Sequence, residues 1–544
     1  MTSNPIAAAE NQDEERHLLP IIGVGSPSSD GLPARLGIRI SEDCADNIEN
    51  QLLLWMAANL SSRMRRVIGE IEFVIPKGVK VSSSSVVPFQ DEADSMLSSA
   101  IAYCAGICAR DCKIVESSNP SFDNQMDAVI SIGAFDESQL PRTKREISAS
   151  CDGWLAFVGG PKWMQSLGLK EPKKPGKCNP FGAYTAACIA AGDVFKFLVG
   201  MRPPGVSFAE EVCFSAYTLK SFDYGGIERA ENPDLPEAIE LGTIHLVGCG
   251  AVGHSFCHSL LPLNGLRGRI VLIDRKINET QKQELIDYWN LNRYILATVN
   301  DIGRPKAELL AGILSRLKKT ITAVPYDDGF EDFVNNQNPG PLVHVLSCVD
   351  KNSSRRVIQD RLPRIIHGAS TDQITTQLSL YDLSKETSCL KCYNEDFSSL
   401  ESDDAIIERL KSLGKEEITQ IAQERGVDPE KLIRFVSMPD CGLISGSELR
   451  RLSSQKGTQT EFSVSFVSAM SGIALAAEVC RGAMERSEPL KYSEALCPPL
   501  TDVYMNFRFN SSSIVSTKPR QNCWCNQGTP TPREVYLNIW RDNQ

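Results

Sequence analysis

Residues 248–253 read Gly248-Cys249-Gly250-Ala251-Val252-Gly253, a G-x-G-x-x-G loop set between an apolar run at 244–247 and a helix-forming stretch. Glycines at Gly248, Gly250 and Gly253 let main-chain N–H groups and the positive end of a helix approach a phosphate with no Cβ in the way. Asp274 follows 21 residues after Gly253, at the end of the next apolar run, where a carboxylate can accept ribose hydroxyls. Further on stand Asn290-Leu291-Asn292-Arg293, Gly303-Arg304-Pro305-Lys306 and Asp350-Lys351-Asn352-Ser353-Ser354-Arg355. Arg293 and Lys306 suit the charge of a polyphosphate, and a strand-end Asp350 suits the oxygen coordination of Mg2+. A nicotinamide-dependent oxidoreductase would use the glycine loop and leave Arg293, Lys306 and Asp350 without a task. ATP is therefore the expected nucleotide.

The 18 cysteines are sparse for a chain of 544 residues and read as reduced thiols rather than a disulfide framework. Two close pairs stand out: Cys389-Leu390-Lys391-Cys392 and Cys523-Trp524-Cys525. Pairs from distant segments suit a closed tetrahedral zinc site of four cysteines, with Cys497 able to replace one ligand. Cys104, Cys108 and Cys112 fall at helical spacing in an alanine-rich stretch and read as a buried stripe. His254 and His258 share a helix face behind the glycine loop and read as core or surface, since no H-E-x-x-H pattern accompanies them. No G-x-S-x-G motif is present, so a hydrolase triad is not visible.

These residues need a scaffold of more than one core. The chain is 42% apolar and 23% charged, a globular mixture. Its net charge of −11, without a basic block, argues against nucleic acid. No apolar run of about 18 residues is evident and no basic-flanked leader opens the chain, so no membrane partner and a cytoplasmic location are expected. Residues 1–35 read as a mobile tail and 36–225 as a first α/β domain, with helices at 47–68, 95–109 and 183–198 and extended runs at 72–75, 128–132 and 154–158. An acidic, Pro-bearing linker at 226–240 leads to a βαβ domain over 241–388 with strands at 244–247, 270–273 and 342–346. Residues 389–460 hold the first thiol pair and a charged helix at 404–425; 461–544 hold a small-residue helix from 462, a strand at 503–509 and the second pair. Ala191-Gly192-Asp193-Val194-Phe195-Lys196 and Ala476-Ala477-Glu478-Val479-Cys480-Arg481 share an acid, an apolar pair and a base in order, which points to two related halves.

Residues 241–485 resemble the ThiF/MoeB family of adenylating enzymes, which includes the activating enzymes of ubiquitin-like proteins. The resemblance implies a doubly wound Rossmann-like adenylation domain, preceded here by a degenerate α/β domain without a glycine loop, as a pseudo-dimer. It places the family's Asn-Leu-x-Arg on Asn290 and Arg293, its Gly-x-x-Lys on Gly303 and Lys306, and its Mg-binding aspartate on Asp350. It implies ATP-dependent adenylation of the C-terminal glycine carboxylate of a ubiquitin-like protein, with Mg2+ and a structural Zn2+. Cys441, in Met438-Pro439-Asp440-Cys441-Gly442, falls where the family's crossover loop runs, and is the expected nucleophile for a thioester passed to a conjugating enzyme. An arginine from the first domain is expected to cross to the phosphates, and Arg63-Met64-Arg65-Arg66 is the candidate cluster, although each residue alone reads as surface charge. Too few residues follow Cys525 for a ubiquitin-fold domain, so the expectation is that recruitment uses another surface, such as the first domain, or that no conjugating enzyme exists. A bacterial antiphage conjugation module is the expected setting, and a homodimer is possible. Sulfur-carrier activation for cofactor biosynthesis is the alternative function, and an NAD(P)-dependent oxidoreductase the second.

Overall fold

The computed structural model describes residues 32–541 other than 84–87, 89–95, 109–110, 117–121, 123–124, 136–140, 142, 170–177, 204–205, 226–230, 276–283, 395–402, 426, 428, 438–451, 453–463 and 488–501. Apolar, β-branched runs form the centre of each sheet. In the first half these are β1 (Ala34–Ile40), β2 (Ile68–Ile75), β3 (Asp111–Glu116), β4 (Met126–Ile132), β5 (Thr143–Asp152), β6 (Leu155–Gly159), β7 (Glu211–Ser215) and β8 (Lys220–Phe222). The second half has β9 (Ile239–Val247), β10 (Leu266–Ile273), β11 (Ile321–Tyr326), β12 (His344–Ser347), β13 (Ile365–Asp372), β14 (Thr375–Tyr381), β15 (Asp502–Asn506) and β16 (Ser511–Val515). The strand orders are β3-β2-β1-β4-β5-β6-β7-β8 and β11-β10-β9-β12-β13-β14-β15-β16. Each sheet is parallel through its first five positions and antiparallel through its last three pairings. The second is thus a topological copy of the first, with the doubly wound α/β fold expected of both halves.

Helices recur in the same slots. Helix α1 (Ile48–Ser62) follows β1 and α2 (Pro180–Leu198) precedes β7; α3 (Ala251–Leu260) follows β9, and α6 (Ser465–Ser487) precedes β15. Between α3 and α6 lie α4 (Lys306–Leu317) and α5 (Asn352–Asp360). The paired motifs at 191–196 and 476–481 fall on α2 and α6, which pack together. Phe195 meets Phe466 with ring centroids 5.5 Å apart, and Phe466 meets Phe507 at 5.0 Å. One apolar core runs through both halves, which is consistent with a pseudo-dimer. Helices α2 and α6 are long and apolar enough to cross a membrane, but 94% of each such window is buried inside the fold.

Several element boundaries differ from the sequence reading. Strand β1 begins at Ala34, inside the stretch read as tail, and β9 at Ile239, inside the stretch read as linker. The helix expected to reach 68 stops at Ser62, because Ile68 begins β2. Cys112 lies on β3, not on the helix that ends at Cys108, so the three-cysteine helical stripe does not exist. The charged helix splits into Asp403–Lys411 and Lys415–Arg425 around Gly414, and with Pro429–Ser437 these helices bury a small core of their own. Strands β15 and β16 complete the second sheet, so the C-terminal segment is integral to that half.

The buried acid and base on α6 form a compact ion pair. Glu478 accepts from Arg481 Nη2 at 2.6 Å and Nε at 3.0 Å, and His367 Nε2 lies 3.9 Å from Glu478 Oε1. Burial alone would push the carboxyl up, but Arg481 and His367 hold it at about 2, against an ordinary 4.5. A carboxyl depressed in the folded state contributes stability that is present in full above pH 4.5 and is lost as pH falls through 2. Glu478→Gln is expected to cost about 2 kcal/mol at neutral pH, because the buried Arg481 loses the carboxylate that takes its Nε and Nη2 and keeps only the half-buried Glu485 at Nη1. Urea titrations from pH 7 to 2 check this: the gap between variant and parent should close toward the acid end.

Candidate nucleotide site

The chain leaves β9 at Val247 and turns at Gly248, whose φ of +97° favours glycine. A Cβ there would lie 2.7 Å from the Cys348 carbonyl. The turn delivers the chain to Gly250, the N-cap of α3, where no side chain caps the helix and its first amides remain available to an anion. Gly253 does not line the cleft; a Cβ on it would lie 2.6 Å from Gly248 O, so this glycine permits close helix–strand packing.

A cleft of about 510 Å³ opens above this turn. Its walls include Gly248, Gly250, Asp274, Arg293, Lys306 and Asp350, which topology brings together from the ends of β9, β10 and β12 and from two connecting segments. Asp274 Oδ2 accepts the Cys249 N–H at 2.6 Å, and its Oδ1 lies 3.5 Å from Lys306 Nζ. Burial raises the Asp274 carboxyl, while Lys306 and the Cys249 amide oppose that shift. Burial would lower Lys306, but Asp274 reverses this and holds the ammonium above its usual range. The lysine therefore stays charged. Asp350 is exposed on the cleft wall, a carboxylate of the type that holds Mg2+ through oxygen. Asn290 is not brought in: its side chain accepts the Asp287 N–H at 3.0 Å and caps the turn before Arg293.

The cleft also contains residues the motifs did not assign. Tyr294 lies beside Gly250 and against His254, with ring centroids 4.6 Å apart. Arg355 lines the wall near Asp350 and donates to Val349 O at 3.0 Å and to Asn394 Oδ1 at 2.8 Å. Ser370 and Thr371 at the end of β13 and Ser468 on α6 extend the cleft toward the α6 N-terminus. The run after Asp350 offered a signal for Arg355; Ser370, Thr371 and Ser468 become visible only once β13 and α6 are placed. His254 and His258, read from sequence as core or surface, are buried, with His258 stacked on Trp55 at 4.5 Å.

Cys389, Cys392, Cys523 and Cys525 converge, all four sulfurs lying within 4.8 Å of one another. Sulfurs bound about 2.3 Å from a tetrahedral zinc lie about 3.8 Å apart. The observed separations are 3.7 Å for Cys389–Cys392, 3.6 Å for Cys389–Cys523 and 3.9 Å for Cys392–Cys525. The donor set fits such an ion, and none of these three pairs approaches disulfide length. Cys441 and Cys497 lie outside the described residues.

Of the cluster Arg63-Met64-Arg65-Arg66, Arg63 is buried, while Arg65 and Arg66 are half-buried. Arg63 is 2% exposed and donates to the carbonyls of Leu291 and Ala297, while Arg65 bonds the Tyr288 hydroxyl. Neither residue lines the cleft. Their hydrogen bonds go to the segment that carries Arg293.

A doubly wound α/β repeat with a nucleotide-type cleft is the class that fold and site define. The ThiF family pattern matches residues 229–525, more than half of the chain, and the chain belongs to the ThiF family. It is 26% identical over 348 residues to the uncharacterized protein y4jF of Sinorhizobium fredii (strain NBRC 101917 / NGR234), covering 60% of this chain and 64% of that protein. The chain thus spans less than two thirds of that relative's length. Crystal structures of E. coli MccB are similar at a distance. The complex with AMPCPP and SeMet MccA gives a TM-score of 0.33 at 16% identity over 52% of this chain and 66% of that one. The complex with MccA-N7isoASN gives 0.33 at 15% identity over 53% and 67%. No functional weight rests on a likeness this distant.

The four-cysteine cluster connects to the cleft wall through Asn394, two residues after Cys392, whose Oδ1 accepts from the cleft-lining Arg355. Cys523→Ser is expected to abolish tightly bound zinc, lower the melting temperature by several degrees and weaken ATP binding. Elemental analysis with parallel calorimetry tests all three; a variant that keeps its zinc rules out the four-thiolate site.

Proposed function

We propose that the chain is an ATP-dependent adenylating enzyme that activates the C-terminal glycine carboxylate of a ubiquitin-like protein and then holds that protein as a thioester on Cys441. The observation that carries this reading is a single cleft lined by a glycine loop, an aspartate for ribose, two cations for phosphate and an exposed carboxylate for Mg2+. Family membership supports adenylation as the chemistry.

The attacking carboxylate is already ionised near neutral pH, so no general base is required. Its oxygen bonds to the α-phosphorus while the bond to the bridging oxygen breaks, leaving an acyl adenylate and pyrophosphate. Catalysis then reduces to alignment and charge neutralisation. The amides at Gly250 and the α3 N-terminus cradle phosphate, Asp274 accepts the ribose hydroxyls, and Arg293 and Lys306 face the phosphate chain. Asp350 holds Mg2+, which offsets phosphate charge when bound. Ser370, Thr371 and Ser468 offer hydrogen-bonding side chains along the route to α6, suited to an extended polypeptide tail.

In the second step the Cys441 thiolate attacks the acyl carbon and AMP departs. Its support is positional. Cys441 lies in the connection between helix Pro429–Ser437 and α6, and α6 contributes Ser468 to the cleft. A conjugating enzyme that accepts the thioester is the partner this step implies. The four-thiolate cluster holds a structural zinc.

Carrier-dependent exchange between pyrophosphate and ATP is the direct test. Asp350→Ala should slow exchange by roughly 100-fold or more; undiminished exchange removes its role. Cys441→Ala should retain exchange and lose a thiol-reducible carrier adduct on denaturing gels. An adduct that persists moves the nucleophile elsewhere.

A further inference from the structure

The last turn of α1, in the first half, grips the segment that carries Arg293 in the second. Asn59 and Arg63 are 1% and 2% exposed. Arg63 Nε donates to Asn59 Oδ1 at 2.7 Å, which fixes the two side chains against each other. The pair then donates to three carbonyls of one segment: Asn59 Nδ2 to Ile295 O at 2.9 Å, Arg63 Nη1 to Leu291 O at 2.5 Å and Nη2 to Ala297 O at 3.0 Å.

The gripped segment is built of turns, with no strand ladder to hold it. The Arg293 guanidinium donates within the same segment, to Trp289 O at 3.2 Å and Asn292 Oδ1 at 2.9 Å. Where Arg293 points therefore follows from where the backbone of 291–297 lies. Charge-assisted bonds from a buried guanidinium to two carbonyls are among the stronger devices for fixing a turn. A phosphate ligand fixed in advance spares ordering entropy when nucleotide binds.

We propose that Asn59 and Arg63 are positioning residues for the nucleotide site, through which the first half sets the phosphate-facing geometry of Arg293 without entering the cleft. The proposal rests on the adenylation reading only in taking Arg293 as a phosphate contact.

Binding of ATP and of adenosine to the full chain, measured by calorimetry, tests it in Asn59→Ala, Arg63→Gln, Arg293→Ala and the two double variants with Arg293→Ala. Asn59→Ala and Arg63→Gln should each weaken ATP by roughly tenfold and leave adenosine unchanged, and each should add less than about twofold once Arg293 is gone. Equal losses for ATP and adenosine, or losses that simply add to that of Arg293→Ala, overturn the proposal and assign the pair a general structural role. Should Arg63→Gln fail to fold by circular dichroism, Asn59→Ala decides alone, because it removes a neutral amide and keeps the guanidinium. If Arg293→Ala itself leaves ATP affinity intact, the phosphate reading falls and this inference with it. If only the Asn59 and Arg63 variants are silent, the inference falls alone.

Discussion

The Asp274 carboxylate beneath the glycine loop is the point on which the cleft turns. Half-buried in a sheet-end crevice, it would be costly to keep ionised without compensation. The Cys249 amide takes one oxygen and the Lys306 ammonium approaches the other. That arrangement ties three elements together: the turn after β9, the end of β10 and the first residue of α4. It also keeps a cation charged inside the cleft, because Asp274 outweighs the burial that would neutralise Lys306. A nucleotide entering here meets a lysine already ionised and a carboxylate already fixed, with one oxygen occupied by backbone. Pre-organisation of this kind is what the proposed adenylation, with no general base, would require.

Around that pocket the fold is duplicated, and the duplication explains how the cleft's far walls are held. Helices α2 and α6 occupy the same slot in their halves and meet at the centre, so the core is continuous and neither half closes alone. Polar side chains cross the seam in both directions. Lys196 of α2 reaches Phe507 O at 2.8 Å beside β15, and Ser465 of α6 reaches Leu60 O at 3.0 Å on α1. Burial lowers Lys196 to about 8, with Asp193 opposing that shift. A buried ammonium is tolerated there because carbonyls receive it. These contacts bind the helix that supplies Ser468 and the helix that leads into Arg63 into one block.

Much of this was legible in the sequence, for identifiable reasons. The glycine loop, Asp274, Arg293, Lys306 and Asp350 are local patterns at strand ends and in the connections that follow them, and a doubly wound topology brings strand ends to one side. The acid–base motif shared by α2 and α6 survived as a local pattern too. Asn290 and Gly253 show the limit of motif reading: both stand in the right place, one capping a turn and the other admitting a helix against a strand. Arg63 shows the opposite limit. Besides Asn59, it bonds backbone carbonyls of the other half 228 and 234 residues away, and carbonyls carry no residue signature. Tyr294, Ser370 and Ser468 were likewise invisible until the segments bearing them had been placed.

In the first half, the strand ends that correspond to those around the cleft carry different residues. After β1, where the second half has its glycine loop, the chain reads Ser41-Glu42-Asp43-Cys44-Ala45-Asp46, which presents three carboxylates in place of bare amides. After β2 it has Pro76 at the position of Asp274, and three residues past β4 it has Phe135 where Asp350 stands past β12. Phe135 instead packs against the buried Arg39 guanidinium, 3.8 Å from the ring centroid, and Arg39 pairs with Glu146 at 2.7 Å. None of the three strand ends repeats the cleft's residues: acids stand in place of the glycine loop, a proline in place of Asp274 and an aromatic ring in place of Asp350. The seam is treated differently: Asn59, Arg63 and Lys196 stay buried in the first half, and each sends donors to acceptors in the other half that offset its desolvation. Among the described residues, the first half thus repeats none of the cleft's side chains at the corresponding strand ends but sends polar side chains across the seam, the arrangement that the proposed positioning role needs.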